Sequence, residues 1–399
     1  MSARHCDIAI LGGGLAGGLI ALALARHRPD LSLLLVEQDA RLGGNHVWSF
    51  FGSDVGKAGR ELLGPAVAAA WAGYEVRFPA FERTLGTSYY AMTSDRFDRT
   101  IRAALPAQAI LSEARVLATS ATSATLTDGQ RIEARAVIDA RGIRNLGHLT
   151  GGWQKFLGQR LKLKAPHGIE RPVIMDATVE QLDGYRFVYV LPFSEDEVFV
   201  EDTYYSDSAT IDRDALAGRI AEYARRRGWS VDSVVHEEQG VLPVVSGGDF
   251  DAFWRSTGKD TARAGTRAGL FHAVTSYSVP DAVRYAMAIA RRADCSGDEL
   301  AKYSEQYART HWKNSIFLRH LTAMLFGAAA PMDRYRVLER FYRLDERLVE
   351  RFYAGRTTLR DKIRILSGKP PVPVLAAMRV LGGFGEKPQA LSLAGTRTK

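Results

Sequence analysis

The sequence predicts a mixed α/β protein: a nucleotide-binding domain built from separated segments, an antiparallel sheet inserted into it, and a helical C-terminal part. Three observations predict this architecture. Residues 7–37 have the order strand, glycine-rich turn, helix, strand. Residues 170–245 have the short alternating pattern of antiparallel strands, interrupted by one helix at 213–227. From Pro280 onwards the apolar spacing is mostly helical.

The composition is that of a globular protein with more than one domain. The 399 residues correspond to two or three domains at roughly 150 residues each. Apolar residues make up 46% and charged residues 25%, which excludes disordered and collagen-like chains. Cys6 and Cys295 cannot form a disulfide framework, and the nine histidines form no metal-binding motif, so we expect a reducing cytosol and no metal.

The glycine-rich turn has the spacing G-x-G-x-x-G at Gly12, Gly14 and Gly17. The first glycine permits a tight turn, the second lets the backbone approach a diphosphate, and the third lets the helix pack on the strand. The diphosphate would then lie at the helix N-terminus. Glu37 ends the second strand, where an acid that binds a ribose belongs. These features predict a dinucleotide site.

The residues after Glu37 point to FAD. Arg41, Gly43 and Gly44 resemble the flavoprotein continuation of this motif, in which the loop wraps the adenosine and the diphosphate. The buried strand ending at Gly142 resembles the later flavoprotein strand that covers the adenine side. The N-terminal fold therefore resembles a Rossmann-type, FAD-dependent oxidoreductase of the hydroxylase and isoprenoid-reductase kind.

The predicted domains are discontinuous. We expect an FAD-binding domain, a substrate-binding sheet domain and a helical C-terminal region that could dock on a membrane. The FAD-binding domain comprises residues 1–50, 85–150 and 255–310. The sheet domain comprises residues 51–84 and 151–254, and the helical region comprises residues 311–399.

Four further stretches resemble the bacterial lycopene beta-cyclases. Residues 45–50 read N-H-V-W-S-F, and residues 198–206 resemble the acidic motif of that family. Residues 267–280, which include Gly269, resemble its second flavin-side motif, although A-V-T-S-Y-S-V-P stands where P-T-T-G-Y-S-L-P is usual. The stretch from Arg351 to Pro371 resembles its C-terminal signature.

This resemblance implies a ring closure on a linear polyene. A proton adds to a terminal double bond, a neighbouring double bond attacks the resulting cation, and the ring cation loses a proton, with no net redox change. The implied cofactor is FAD in its reduced form, with NAD(P)H as the reductant. The implied substrates are lycopene and related acyclic carotenoids.

The acidic motif supplies the candidate catalytic residues, Glu201 and Asp202. A carboxyl group kept neutral by burial can protonate an alkene, and Glu201 is our candidate donor. Strand alternation places Asp202 on the opposite face. The length of the hairpin loop decides whether Glu201 pairs with Tyr189 or with Val190, and this register stays open. The aromatic row that includes Tyr189 is expected mainly to form core.

Other side chains carry weaker predictions. His46 and Trp48 could line the flavin or cap the loop, and His272 could lie near the flavin or be structural. Glu237 and Glu238 are expected to be surface charges.

The C-terminal region is basic, with eleven Lys and Arg against six Asp and Glu over residues 333–369. A solvated helical face is the usual explanation for such a pattern. For an enzyme whose substrate lives in lipid, a basic amphipathic surface could also bind an anionic bilayer. We therefore expect a bacterial cytoplasmic protein, peripherally attached to the inner membrane surface. Nucleic acid is not an expected partner, because no recognition fold accompanies the charge.

Two alternatives remain open at this point. The first is a redox flavoenzyme on the same fold, either an isoprenoid reductase or an aromatic hydroxylase that uses NAD(P)H. The second is a non-catalytic flavin- or carotenoid-binding protein.

Overall fold

A computed structural model describes residues 3–143, 145–258, 260–368, 371–382, 384 and 389–392. Some parts of the predictions lie outside these residues. They are residues 1–2, 144 and 259 of the predicted FAD-binding domain, Lys369 and Pro370 of the C-terminal signature, and residues 383, 385–388 and 393–399 of the predicted helical region.

The described strands fall mainly in the first two thirds of the chain. In chain order they are β1 (Arg4–Leu11), β2 (Leu33–Val36), β3 (Val47–Phe51), β4 (Val67–Trp71), β5 (Tyr74–Phe78), β6 (Phe81–Leu85), β7 (Tyr89–Thr93), β8 (Ile110–Leu111), β9 (Val116–Thr119), β10 (Ser123–Leu126), β11 (Arg131–Asp139), β12 (Leu149–Leu163), β13 (Val173–Asp176), β14 (Tyr185–Pro192), β15 (Glu197–Ser206), β16 (Val231–Gly248) and β17 (Ala262–Arg263).

The described α-helices become frequent after β17, as the apolar spacing from Pro280 onwards predicts. In chain order they are α1 (Leu15–His27), α2 (Gly52–Leu63), α3 (Ser94–Ala104), α4 (Arg213–Arg226), α5 (Phe250–Ser256), α6 (Val279–Ala290), α7 (Gly297–Asn314), α8 (Ile316–Gly327), α9 (Tyr335–Tyr342), α10 (Glu346–Tyr353), α11 (Leu359–Leu366) and α12 (Val374–Leu381).

The first sheet has the strand order β8-β2-β1-β11-β10-β9, with β17 beside β11. β1 runs parallel to both β2 and β11. α1 connects β1 to β2, so these elements form a parallel βαβ unit. Apolar side chains bury the helix against the sheet, including Leu19, Leu24 and Ile10. This arrangement confirms the predicted Rossmann-type α/β fold.

The second sheet has the order β16-β12-β15-β14-β13-β5-β6. Its long central strands are antiparallel as predicted, but β5 joins β13 in parallel, so the whole sheet is mixed. One face packs on α4 through side chains such as Leu157, Val200 and Ile220. The other face carries an aromatic core that also takes in side chains of α8, α9 and α10.

A small third sheet, with the order β3-β7-β4, includes the N-H-V-W-S-F stretch. β4 lies in the predicted sheet domain, yet it pairs with β7 from a segment assigned to the FAD-binding domain. The domain boundaries therefore remain a prediction.

The last two described helices, α11 and α12, expose an unusual number of apolar side chains. On α11 and α12, apolar side chains that would normally be buried are 50–73% exposed, namely Leu359, Ile363, Leu366, Val374, Leu375, Met378 and Leu381. Within the part of the chain that the structure describes, no helix is both long enough and apolar enough to cross a bilayer.

Candidate active site

One cavity of about 550 Å³ joins the glycine-rich turn of the first sheet to the aromatic face of the second. Gly12, Gly14 and Glu37 line one end, and Glu201 and Glu238 line the other. A dinucleotide bound at the turn would therefore extend towards the carboxyl groups. The fold thus brings the predicted cofactor site and the predicted acid into one space.

The glycine-rich turn has the shape that a diphosphate requires. A Cβ added at Gly14 would meet nothing within 4 Å, so the backbone borders open cavity there. A Cβ at Gly17 would overlap the carbonyl oxygen of Gly12, which shows how closely α1 packs on the turn. Glu37 Oε2 accepts a hydrogen bond of 2.6 Å from the Gly13 N–H. These residues fit FAD as a bound dinucleotide.

Three more predicted cofactor residues line the cavity, namely Gly43, Gly44 and Gly142. Arg141, which the sequence analysis did not assign to the site, lines it beside Gly142. Asp139 fixes the Arg141 guanidinium with contacts of 2.8 and 2.9 Å. Because the Arg141 guanidinium is fixed in place on the cavity lining, it can hydrogen-bond to a negatively charged diphosphate.

Two predicted cofactor residues, Arg41 and Gly269, do not line the cavity. Arg41 is a surface residue whose side chain pairs with Asp95 at 3.0 Å, and its side chain is 75% exposed. Gly269 caps the short helical turn Gly265–Ala268 and faces Phe253 instead of the cavity. Gly265 itself lines the cavity, so the second flavin-side motif contributes through its start.

Glu201 lies on the cavity wall, as strand alternation predicts. It pairs with Tyr189 of β14, which settles the register that the sequence left open. Thr203 Oγ1 donates a hydrogen bond of 2.6 Å to Glu201 Oε1. Burial raises the pKa of Glu201 to about 7, and this effect exceeds the lowering by Thr203. Glu201 can therefore carry a proton near neutral pH.

Asp202 lies on the opposite face of β15 from Glu201, as strand alternation predicts, so the structure does not bring these two candidate catalytic residues together. Asp202 faces α4 and is fully buried. Arg186 Nε donates to Asp202 Oδ1 at 2.7 Å, and the Tyr204 hydroxyl donates to Asp202 Oδ2 at 2.5 Å. Burial raises the pKa of Asp202, while Arg186 opposes that effect. Its partners make it part of a structural ion pair.

Glu238 lies inside the site, which corrects its prediction as a surface charge. It is only 3% exposed and lines the cavity. Its neighbour Glu237 points the other way and pairs with Arg213 at 2.7 Å, as expected of a surface charge. Two adjacent acids on one strand must face opposite sides of the sheet. That alternation was the signal that could have identified Glu238.

The structure places His46 and Trp48 together and His272 elsewhere. His46 and Trp48 both line the cavity. His272 is buried outside it, where its ring contacts the Phe352 carbonyl oxygen at 3.0 Å and Thr275 Oγ1 at 3.1 Å. Burial lowers the pKa of His272 to about 4, so it is a neutral structural residue at neutral pH.

Aromatic side chains surround the Glu201 end of the cavity. The hydroxyl of Tyr189 hydrogen-bonds to that of Tyr277, and both residues line the cavity. The hydroxyl of Tyr89 lies 3.4 Å from that of Tyr277. Behind them, Tyr185 and Phe187 belong to the aromatic core. The aromatic row of β14 thus forms core at one end and cavity wall at the other.

Comparison with known proteins identifies the family. The family profile described as lycopene cyclase protein matches residues 7–379. The chain belongs to the lycopene cyclase family. The lycopene beta-cyclase of Pantoea ananas is 43% identical to this member of the family over 377 residues, which cover 94% of this chain and 98% of that relative. The lycopene beta-cyclase of Pseudescherichia vulneris is 44% identical over 373 residues, covering 94% and 96%.

Solved structures show how widely this lycopene cyclase fold occurs. A geranylgeranyl bacteriochlorophyll reductase-like protein from Thermoplasma acidophilum matches with a TM-score of 0.61 and 14% identity, covering 96% of this chain and 100% of that one. A flavin-dependent brominase matches with a TM-score of 0.58 and 15% identity, covering 88% and 94%. At these identities the likeness concerns the fold. The family assignment makes the chain an enzyme of the lycopene cyclase type.

Proposed function

We propose that this protein is a lycopene beta-cyclase, which converts acyclic ends of lycopene to beta-ionone rings. The observation that carries the proposal is Glu201, a carboxyl group with a raised pKa on the wall of a cavity that also includes a dinucleotide-binding turn. The relatives that are 43–44% identical carry the name lycopene beta-cyclase and support the substrate.

Glu201 is the proposed proton donor. In its neutral form it delivers a proton to the terminal double bond, leaving a tertiary cation that a neighbouring double bond attacks to close the ring. The ring cation then loses a proton, so atoms and electrons balance without net redox change. Aromatic faces such as that of Tyr189, which pairs with Glu201 across the strands, favour positive charge nearby.

The proposed cofactor is FAD, held by the turn at Gly14, by Glu37 and by the edge at Arg141. When bound in the reduced, anionic form, FAD supplies negative charge that stabilises a cation in a dry site. We further propose that NAD(P)H serves only to keep FAD reduced. The cavity residues themselves bind and orient the polyene end, exclude water and hold the proton at Glu201.

We also propose that the enzyme docks on the inner membrane surface through α11 and α12. Both helices expose apolar side chains, and Leu375 is 73% exposed. Arg360, Lys362 and Arg364 lie on α11 among these apolar residues, and Arg379 lies on α12. Apolar insertion together with basic charge suits an anionic bilayer, where a carotenoid substrate resides.

Expression in a lycopene-accumulating bacterium tests the function. Pigment chromatography should show lycopene replaced by cyclised product when the gene is expressed. The alternative, an isoprenoid reductase or aromatic hydroxylase, predicts a reduced or hydroxylated product and one NAD(P)H consumed per product. For the cyclase, many products should form per reducing equivalent under anaerobic conditions.

A further inference from the structure

Two carboxyl groups face each other across a single glycine in the second sheet. Gly158 of β12 pairs with Glu201 of β15 on one side and with Glu238 of β16 on the other. Residues directly opposite in neighbouring strands point to the same face, and both glutamates line the cavity. Two strand spacings put their Cα atoms roughly 10 Å apart. Gly158 has no side chain to separate the carboxyl groups.

Position 158 must be a glycine, because an aromatic ring on the same face of the sheet packs directly over it. A Cβ at Gly158 would overlap the Phe199 ring, which packs over it. The Phe199 ring therefore covers the glycine between the two acids, and the path from one carboxyl group to the other runs through the cavity that both line. The two groups also interact electrostatically, since the pKa of Glu238 is raised partly by Glu201.

Glu238 is held so that it can keep a proton. Val47 N donates a hydrogen bond of 2.8 Å to Glu238 Oε2, which fixes the carboxyl group in place but by itself lowers its pKa. Burial raises the pKa of Glu238 well above its ordinary value, and the charge of Glu201 raises it further. The side chain is 2% exposed, so water does not reach it freely.

His46 connects Glu238 to the outside of the molecule. Its Nδ1 lies 3.8 Å from Glu238 Oε2, and its side chain is 49% exposed. Burial and the neighbouring His236 lower the pKa of His46, which favours the neutral imidazole. A neutral imidazole can accept a proton on one nitrogen and release one from the other.

We propose that Glu238 returns a proton to Glu201 after each ring closure, with His46 as the point of exchange with water. The inference rests on the proposed function, because it requires Glu201 to be the donor. Glu238 is a positioning residue in this scheme, since it acts on the substrate only through Glu201.

The proton transfers balance. Glu201 gives its proton to the terminal double bond and becomes a carboxylate. That carboxylate takes the proton of Glu238. His46 accepts a proton from water on one ring nitrogen and gives the proton on its other nitrogen to the Glu238 carboxylate. The ring cation releases one proton, which returns to water, so ring closure consumes no protons and moves no electrons to or from the protein.

Other titratable or charged groups also face this pair. Arg160 and His236 occupy the next row of the same sheet face, opposite Phe199. Arg160 lies 3.8 Å from Glu197, and His236 is influenced by Arg160 and by Asp95 of α3. Arg160 and His236 are unchanged in Glu238→Gln and in Glu238→Asp, so a change in pH dependence reports on the glutamate pair.

The test is the pH profile of Glu238→Gln, which keeps the shape and the hydrogen bond from Val47 but cannot hold the proton. In the wild type, Glu201 and Glu238 still share one proton at a pH above the point where the pair has lost its first proton. Activity therefore extends to alkaline pH. In Glu238→Gln no second carboxyl group can return a proton to Glu201, so activity should fall at a lower pH than in the wild type. We expect a loss of about tenfold or more at pH 8.5, and about threefold or less at pH 6.

Glu237→Gln is the matched control, because Glu237 lies next to Glu238 but faces Arg213 on the other side of the sheet. Its profile should match the wild type. Glu238→Asp, which restores a carboxyl group, should recover most of the alkaline activity. An unchanged alkaline limb in a Glu238→Gln enzyme that binds FAD normally would overturn the relay. Cyclisation by Glu201→Gln would instead overturn the proposed donor, so the two failures are distinguishable.

A second measurement covers the case in which Glu238→Gln does not fold. Infrared spectra of Glu201→Gln should show a protonated carboxyl group at pH 7 whose band shifts in Glu201→Gln/Glu238→Asp. A band that is unaffected by the second substitution would show that Glu238 does not hold a proton at this pH, and it would overturn the relay.

Discussion

At the scale of single residues, the site depends on which face of a strand each side chain occupies. The alternation of β15 separates Glu201, which lines the cavity, from Asp202, which pairs with Arg186. The same alternation on β16 separates Glu238 from Glu237. Neighbouring acids therefore have opposite environments, and only one of each pair lines the cavity.

The glycine-rich turn yields a prediction that separates binding from folding. In Gly14→Val the new side chain would project into open cavity, so the protein should fold normally and lose FAD. In Gly17→Val it would overlap the Gly12 carbonyl oxygen, so folding itself should fail. Flavin absorbance and thermal melting of both purified variants check this. Normal FAD content in Gly14→Val would contradict the assignment of the loop.

The buried acid also predicts a pH-dependent change in stability. The pKa of Glu201 rises from 4.5 to about 7 on folding, so its favourable contribution is complete below about pH 4.5 and is lost as the pH rises through 7. Glu201→Gln removes this dependence. The FAD-free variant should therefore gain in melting temperature relative to the wild type between pH 5 and pH 8. A difference that is constant over this range would contradict a buried, raised pKa.

At the scale of elements, the first βαβ unit and the C-terminal helices could be predicted, while the pairing of distant strands could not. The glycine spacing and the buried strand around Ile8 make the first unit a local pattern. The parallel pairing of β5 with β13 and the small sheet of β3, β7 and β4 depend on contacts between distant segments. Local alternation carries no information about such partners.

The exposed surface of α11 and α12 predicts membrane binding. Leu375→Glu/Met378→Glu places two charges among exposed apolar side chains, so the variant should leave anionic vesicles at lower salt than the wild type. Leu117→Glu is the matched control, because Leu117 is a 69% exposed apolar residue on β9, away from these helices. Cosedimentation with vesicles measures both, and equal binding by all three proteins would contradict docking through these helices.

At the scale of the whole molecule, the active site exists only where the first and second sheets meet. The sequence indicated each half through a separate motif, the glycine-rich turn and the acidic stretch around Glu201. It did not identify Gly265 or Arg141, whose positions in the cavity depend on how distant segments pack, and Glu238 was missed although the alternation of β16 indicates it. Arg41 and Gly269 lie close to flavin motifs in the sequence but do not line the cavity, since proximity to a motif does not by itself place a residue in it.

Turnover of lycopene by Glu201→Gln shows whether Glu201 is the proton donor. The variant keeps the size and hydrogen-bonding shape of the side chain but cannot protonate an alkene. With reduced FAD and lycopene in liposomes, the purified variant should cyclise lycopene about a hundred- to ten-thousand-fold more slowly than the wild type. Its FAD content should be unchanged. Asp202→Asn, whose site faces α4, should melt at a lower temperature yet keep most of its activity per folded enzyme. Cyclised product from Glu201→Gln at near wild-type rates would contradict the account.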